Sequence, residues 1–265
     1  MKDYKQEFDK FLDMLKEGTP FGYSRFSDGE IFILKNERLI LSDHEFVTGD
    51  RSGVGRYTEE EQKDFNPEDH SYISDRLRGC LEAEKENYFK GLSCNEDTDI
   101  CLEDDVLQYQ LSMAKDLDNL TFATVFINAN YPRFIQEMYP ELKKKKVVMV
   151  VNESANIDDL NLNIIKDFRI QNNCFINNYD LPQEINNWIS ENDVSDTVFL
   201  ISASTLTNFI VKDCFFENPQ NTYIDIGSSL NPWMGLEGWM HSRAYLQHWI
   251  LGQHNKYGIQ EDTWN

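Results

Sequence analysis

The sequence predicts an α/β fold with a mainly parallel sheet and flanking helices, on three observations. From about residue 121, β-rich apolar runs ("TFATVFINA", "KVVMVVNE", "NCFINNY", "TVFLISAS", "NTYIDIGSS") alternate with segments of helical length at 131–145, 156–168, 181–192 and 205–217. That rhythm is the one strands joined by crossover helices produce. The runs "VVMVV" and "VFLI" are continuously apolar, as strands buried on both faces are. Polar residues follow the runs, in "NAN", "NES", "SAST" and "GSS", and open α/β sheets bind ligands beyond the carboxyl ends of their strands.

The elements ahead of this half are predicted one by one. Phe8, Phe11, Leu12 and Leu15 recur at helical spacing within 2–17, and "EGTP" ends the pattern, so an amphipathic helix opens the chain. "FGYSRF" predicts a short strand leading into the "SDGE" turn, with Ser27 and Asp28 as cap residues for the helix or turn of "EIFILKN". The polar, Gly-rich stretch 43–75 predicts a loop and then a surface helix. No linker or repeat interrupts the chain. One domain is expected over 1–265: an N-terminal helix in 1–20, the acidic-turn segment with helical and loop regions in 21–120, and the α/β half in 121–250.

Composition bounds the partners. A chain of 265 residues that is 40% hydrophobic and 13% aromatic has a substantial core. Its 46 acidic against 25 basic residues, a formal net charge of -21, disfavour nucleic acid and anionic membranes as general partners. No apolar run approaches the roughly 20 residues of a membrane-spanning helix, and "MKDYKQEFDKFLDMLKEG" is too charged for a secretory signal. Cys80, Cys94, Cys101, Cys174 and Cys214 form no C-x-x-C pair, which argues against a disulfide framework or structural zinc and for buried thiols in a cytoplasmic, reducing setting.

Three segments offer chemistry. In "RFSDGE", an extended or turn D-x-E brings the Asp28 and Glu30 carboxylates toward one side, where they hold Mn²⁺ or Mg²⁺ and through it a diphosphate; a surface turn accounts for the same residues. Arg25 either supports the phosphate or neutralises Asp28. In "LISASTLTNFIV", Ser202, Ser204 and Thr205 stand between a strand and a helix, where they cap the helix or bind phosphate. In "YIDIGSSLNPWMGLEGWMHSRAYLQHW", Asp225 ends a strand, Gly227 allows close backbone approach, and Ser228 and Ser229 follow on the ligand edge. Trp233, Trp239 and Tyr245 either stack on a sugar or base or close the core. His241 and Arg243 face a sugar or phosphate, or serve as structural partners.

Taken in order, "RFSDGE", "NYFKGLSC", "ATVFINANYP", "VVMVVNES" and "NTYIDIGSSLNPWMG" resemble bacterial and phage glycosyltransferases of the GT-D type, whose signature is R-[FY]-x-D-G-E with a late D-I-G. The resemblance spans roughly 21 to 245. It implies a Rossmann-like fold, a nucleoside-diphosphate sugar donor, usually UDP-linked, and a divalent cation on Asp28 and Glu30, with Arg25 in support and Asp225 and Gly227 at the donor edge. The best-known branch carries a histidine directly after D-I-G and a glutamate six residues later, where this chain has Ser228 and Met234. Glu237 and His241 are the nearby substitutes for the catalytic base.

The expected activity is therefore transfer of a sugar to a hydroxyl on a glycan, glycoprotein or modified nucleobase, with DNA disfavoured by net charge. Metal-dependent phosphoryl or nucleotidyl transfer, such as nucleotide-sugar hydrolysis, and a catalytically inactive nucleotide-sugar-binding module are the rival readings.

Overall fold

The computed structural model describes residues 3–93, 104–237 and 246, with the backbone alone at positions 28, 104 and 105. Helix α1 (Tyr4–Glu17) begins where the Asp3 side chain accepts from Gln6 N at 2.9 Å and stops at Gly18, whose φ of 73° is a left-handed conformation that glycine adopts without strain. Phe8, Phe11, Leu12 and Leu15 are buried, as their spacing predicts. Strand β1 (Gly22–Phe26) and helix α2 (Asp28–Leu34) follow.

The next four strands are three residues each: β2 (Leu39–Leu41), β3 (Phe46–Thr48), β4 (Arg51–Gly53) and β5 (Lys63–Phe65). They form a separate antiparallel sheet in the order β4-β3-β2-β5. The loop predicted after residue 43 thus contains three of these strands, β3, β4 and β5. The helix predicted beyond it is α3 (Pro67–Glu82), with Pro67 in its first turn. Strands this short, one of them wholly exposed, carry no alternation that a sequence pattern can detect.

The larger sheet adds β6 (Tyr88–Leu92), β7 (Leu120–Phe122), β8 (Lys146–Asn152), β9 (Asn163–Ile170), β10 (Thr197–Ile201) and β11 (Thr222–Asp225). Its order is β7-β6-β1-β11-β10-β8-β9, and every pairing is parallel. Between these strands lie α4 (Asp104–Met113), α5 (Tyr131–Arg133), a π-helical turn Phe134–Met138, α6 (Tyr139–Leu142), α7 (Cys174–Asn177), α8 (Leu181–Glu191) and α9 (Leu206–Glu217).

Helices cover both faces of this sheet, so adjacent residues of one strand enter different cores. Val147 and Met149 pack with Phe8, Phe11 and Phe134, whereas Val148 and Val150 pack with Leu77, Ile185 and Phe209. This is why "VVMVV" is apolar throughout: each fully buried side chain contributes about 1.5–3 kcal/mol on either face. Among the described residues, no helix is long and apolar enough to cross a membrane.

Three local expectations are corrected. Segment 156–168, predicted as helix, runs into strand β9, whose position at the sheet edge leaves much of it exposed and its pattern mixed. "NCFINNY", predicted as a strand, folds as the single helical turn α7 after a left-handed Asn173 (φ 51°). Only the start of "TFATVFINA" is strand; turns and a 3-10 segment at Asn128–Asn130 replace the remainder.

Candidate functional site

The small antiparallel sheet faces the carboxyl edge of the large one, and a cleft of ≈ 720 Å³ separates them. On one wall stand residues from strand ends: Arg25 of β1, Ser27 after it, Ser202 and Ser204 after β10, and Asp225, Gly227 and Ser228 at the end of β11. Leu41, Phe46, Val54, Arg56, Tyr57, Glu60, Glu61 and Lys63, from the small sheet and its loops, form the other wall. The strand-end logic of the sequence locates the first wall. Nothing in the local pattern announces the second, because the fold of the small sheet is what carries these residues across the cleft.

Arg25 and Gly227 are fitted to one another. A β-carbon on Gly227 would stand 1.8 Å from Arg25 Nη1, and Gly227 has a φ of +47°. Only glycine lets the guanidinium lie there without displacement. Asp225 fastens the pair: its Oδ2 accepts from Arg25 N at 3.2 Å, its Oδ1 accepts from Gly227 N at 3.0 Å, and Arg25 Nη1 lies 3.8 Å from Oδ1. Burial pushes the Asp225 carboxyl up to about 6; Arg25 opposes that shift and the neighbouring Glu30 adds to it.

Glu30 is the third residue of α2, so the D-x-E occupies a helical first turn instead of an extended or turn segment. Residues two apart on a helix do not face each other, which removes the geometric reason given above for pairing Asp28 with Glu30; the Asp28 side chain lies outside the described residues. Glu30 Oε2 accepts from Ser27 N at 3.1 Å, the reach-back half of a capping box, and its Oε1 accepts from Thr205 Oγ1 at 3.0 Å. Lys63 Nζ sits over the same turn, 3.0 Å from where a β-carbon on Gly29 would stand.

Of the remaining predicted site residues, Ser202, Ser204 and Ser228 line the cleft, Ser204 in a left-handed conformation (φ 48°) just before α9. Thr205 and Ser229 do not. Both are fully buried, Thr205 against Glu30 and Ser229 with its Oγ donating to Ile226 O at 2.6 Å. Glu237 is exposed and lines neither the cleft nor its neighbouring cavity; its backbone N–H donates to Glu60 Oε1 at 2.7 Å. Trp233 stacks on Tyr139 with ring centroids 5.0 Å apart and closes the core. His241, Arg243, Trp239 and Tyr245 lie outside the described residues.

The charge of the cleft has a chemical consequence. Arg25, Arg56 and Lys63 face Glu30, Glu60, Glu61 and Asp225, so the lining does not by itself attract an anion. Hard oxygen donors are present in Glu30 and Asp225, each carboxylate oxygen keeping lone pairs beyond its single N–H or O–H contact. Among the described residues no group of three or more His, Cys, Asp or Glu is arranged to hold a metal ion. That donor set fits Mg²⁺-type binding, in which one or two carboxylates and the phosphates of the substrate share the cation.

No family model matches the chain, and no curated protein matches it. Two solved structures do. One is described as the highly conserved domain of unknown function 1792, with a distinct glycosyltransferase fold; it is 15% identical at a TM-score of 0.52, covering 86% of this chain and 81% of that one. The other, a selenomethionine-substituted structure of domain of unknown function 1792, is 16% identical with the same TM-score and coverage. At these identities the likeness is one of architecture: this chain, with its parallel seven-stranded sheet and flanking helices, has a glycosyltransferase fold.

Proposed function

We propose that this protein is a metal-dependent glycosyltransferase that moves a sugar from a UDP-linked nucleoside-diphosphate sugar to an acceptor hydroxyl on a glycan, glycoprotein or modified nucleobase. The observation that carries this reading is the Arg25 guanidinium laid on Gly227 in the wall of a large cleft along the carboxyl edge of a parallel sheet. Arg25 offers a fork of donors to a diphosphate, with Ser204 and Ser228 beside it and Lys63 opposite.

Glu30 and Asp225, the carboxylates that line the cleft beside Arg25, would hold Mn²⁺ or Mg²⁺, and Asp28 joins them in this proposal on the D-x-E resemblance alone. The cation supplies charge neutralisation for the departing nucleoside diphosphate, where negative charge grows in the transition state. The excess of carboxylates over cations in the lining supports this part of the proposal, since a bare diphosphate gains little there. Glu60, which lines the cleft while Glu237 does not, is the better-placed base for the acceptor proton. A net charge of -21 keeps duplex DNA a disfavoured acceptor. Three buried free thiols, Cys80, Cys174 and Cys214, accord with a reducing cytoplasmic setting.

A thermal-shift panel of nucleotide sugars with and without Mn²⁺, repeated on Asp28→Ala and Glu30→Ala, tests the site. The expected outcome is a rise in melting temperature that needs both donor and Mn²⁺ and is lost in the variants, since a ligand that binds only the folded state raises its stability. No shift with any donor, or variants that respond as the wild type does, defeats the assignment. Product analysis then separates transfer from hydrolysis: free sugar with no acceptor modified would make the protein a hydrolase.

A further inference from the structure

Beside the main cleft, sharing its wall at Ser202 and Ser204, lies a second cavity of ≈ 100 Å³. It opens at the carboxyl ends of β8 and β10, next to Asn152 and Ser202. The chain leaving β8 crosses outward to the edge strand β9, whereas the chain leaving β10 crosses toward β11. Connections that diverge from neighbouring strands leave a crevice between them, the place where open α/β sheets take their ligands.

Glu60 and Lys63, of opposite charge, line both cavities, and amide side chains make up most of the remaining polar wall of the smaller one; two groups of them matter. One group builds the wall. Asn173 Oδ1 accepts from Asp64 N and its Nδ2 donates to Asp64 O, both at 3.1 Å, clamping the loop after β9 to β5 of the small sheet. Asn152 Nδ2 donates to Asn172 Oδ1 at 3.1 Å, tying the same loop to β8. The other group is left over by the fold. Among the described residues, the amides of Gln62 and Gln171 and the hydroxyl of Ser202 make no hydrogen bond, although all three line the cavity.

We infer that this cavity binds a neutral, polyhydroxylated sugar ring, an inference that rests on the donor reading above. At the ~10–15 Å³ that one water needs on this measure, the cavity holds several waters, the space of one ring. An amide presents a donor and an acceptor side by side, and a sugar hydroxyl is both at once, so uncommitted amides on a clamped wall are matched to it, with only the Gln62 and Gln171 side chains left to order on binding. The nucleobase finds a better surface elsewhere. Leu41, Phe46 and Tyr57 in the main cleft offer the apolar and aromatic faces that a flat heterocycle prefers. The ring comes from the donor or from an acceptor glycan, and the test separates the two.

The test uses the full chain and the double variant Gln62→Ala/Gln171→Ala, whose melting temperature is expected to match the wild type because neither side chain is used by the fold. Calorimetry with Mn²⁺ compares UDP with UDP-glucose, UDP-galactose and UDP-N-acetylglucosamine. A wild type that prefers one sugar nucleotide over UDP, and a variant that loses roughly tenfold or more of that affinity while binding UDP as before, support the inference; one neutral hydrogen bond is worth roughly fivefold. Equal losses for UDP and the sugar nucleotides overturn it, because the cavity then holds the nucleoside. A second arm measures saturation transfer by NMR to free glucose, galactose and maltotriose. Transfer that the variant loses, with sugar-nucleotide affinities unchanged, assigns the ring to the acceptor and also supports the inference. Unchanged affinities together with unchanged transfer overturn it. Absence of UDP binding in the wild type sinks the donor reading alone; the NMR arm then decides, for the cavity if the variant loses the transfer and against it if the wild type shows none.

Discussion

Thr205 Oγ1 donates to Glu30 Oε1 at 3.0 Å, joining the first turn of α2 to the entry of α9 across 175 residues of sequence. Both side chains are buried, and the other Glu30 oxygen is held by Ser27 N. A carboxylate fixed by two donors at the floor of a cleft keeps one orientation. Thr205 therefore acts on the site through Glu30 and not by touching a ligand.

Removing that donor has a measurable cost. Thr205→Val keeps the shape and leaves one oxygen of a buried carboxylate without its O–H partner, so the loss expected is about 1.5–3 kcal/mol, the range for hydrogen bonds to charged groups. Urea midpoints check it. Thr205→Ser should recover most of the loss, and a Thr205→Val variant within about 0.5 kcal/mol of wild type would mean that Glu30 draws no support from the bond.

Gly227→Ala tests the seat of Arg25. The new methyl would stand 1.8 Å from Arg25 Nη1 at a backbone φ of +47°, so the guanidinium must leave and the backbone is strained by about 1–2 kcal/mol. Binding of UDP with Mn²⁺ should fall by about tenfold or more, the worth of a charge-assisted hydrogen bond. Because the substitution acts through Arg25, adding it to Arg25→Ala should cost no further affinity. Additive losses in that cycle would show that Gly227 contributes by another route.

What the sequence made legible follows from burial. β8, β10 and β11 are buried on both sheet faces and stand out as apolar runs, and the residues after them, Ser202, Ser204, Gly227 and Ser228, line the cleft at the carboxyl edge of the sheet. β9 escaped because an edge strand needs less apolar surface. Thr205 and Ser229 show the limit of reading hydroxyls: after a strand they turn toward a ligand or toward the neighbouring element, and only packing decides. Arg56, Glu60 and Lys63 were invisible as site residues because their role depends on how strands of three residues fold back over the sheet.

The described cysteines should behave as core residues. Burial pushes the Cys80 and Cys174 thiols up to about 12 and Cys214 well above its ordinary value, and thiolates are the reactive species. At pH 8, iodoacetamide should label none of the three in the native protein and all of them in urea, as read by peptide mass spectrometry. Labelling of any of these under native conditions would mean that its surroundings open readily.

Asp225 gives the last prediction, and its sign is opposite to that of an ordinary ion-paired acid. Burial raises its pKa in the folded chain to about 6, above the ordinary 3.8 that it keeps when unfolded, so between these values the native state holds the proton more tightly. The stabilisation this provides is complete below pH 3.8, declines as pH rises, and is gone above about 6. A shift of this size corresponds to about 3 kcal/mol. Asp225→Asn cannot titrate, and its altered contacts with Arg25 N and Gly227 N change stability by an amount independent of pH. The wild type's stability minus the variant's should therefore fall by roughly 2 kcal/mol between pH 4 and pH 7, most of the full effect, read from urea midpoints at each pH. A flat difference, or one that grows with pH, would show that Arg25 outweighs burial and holds Asp225 ionised throughout the range.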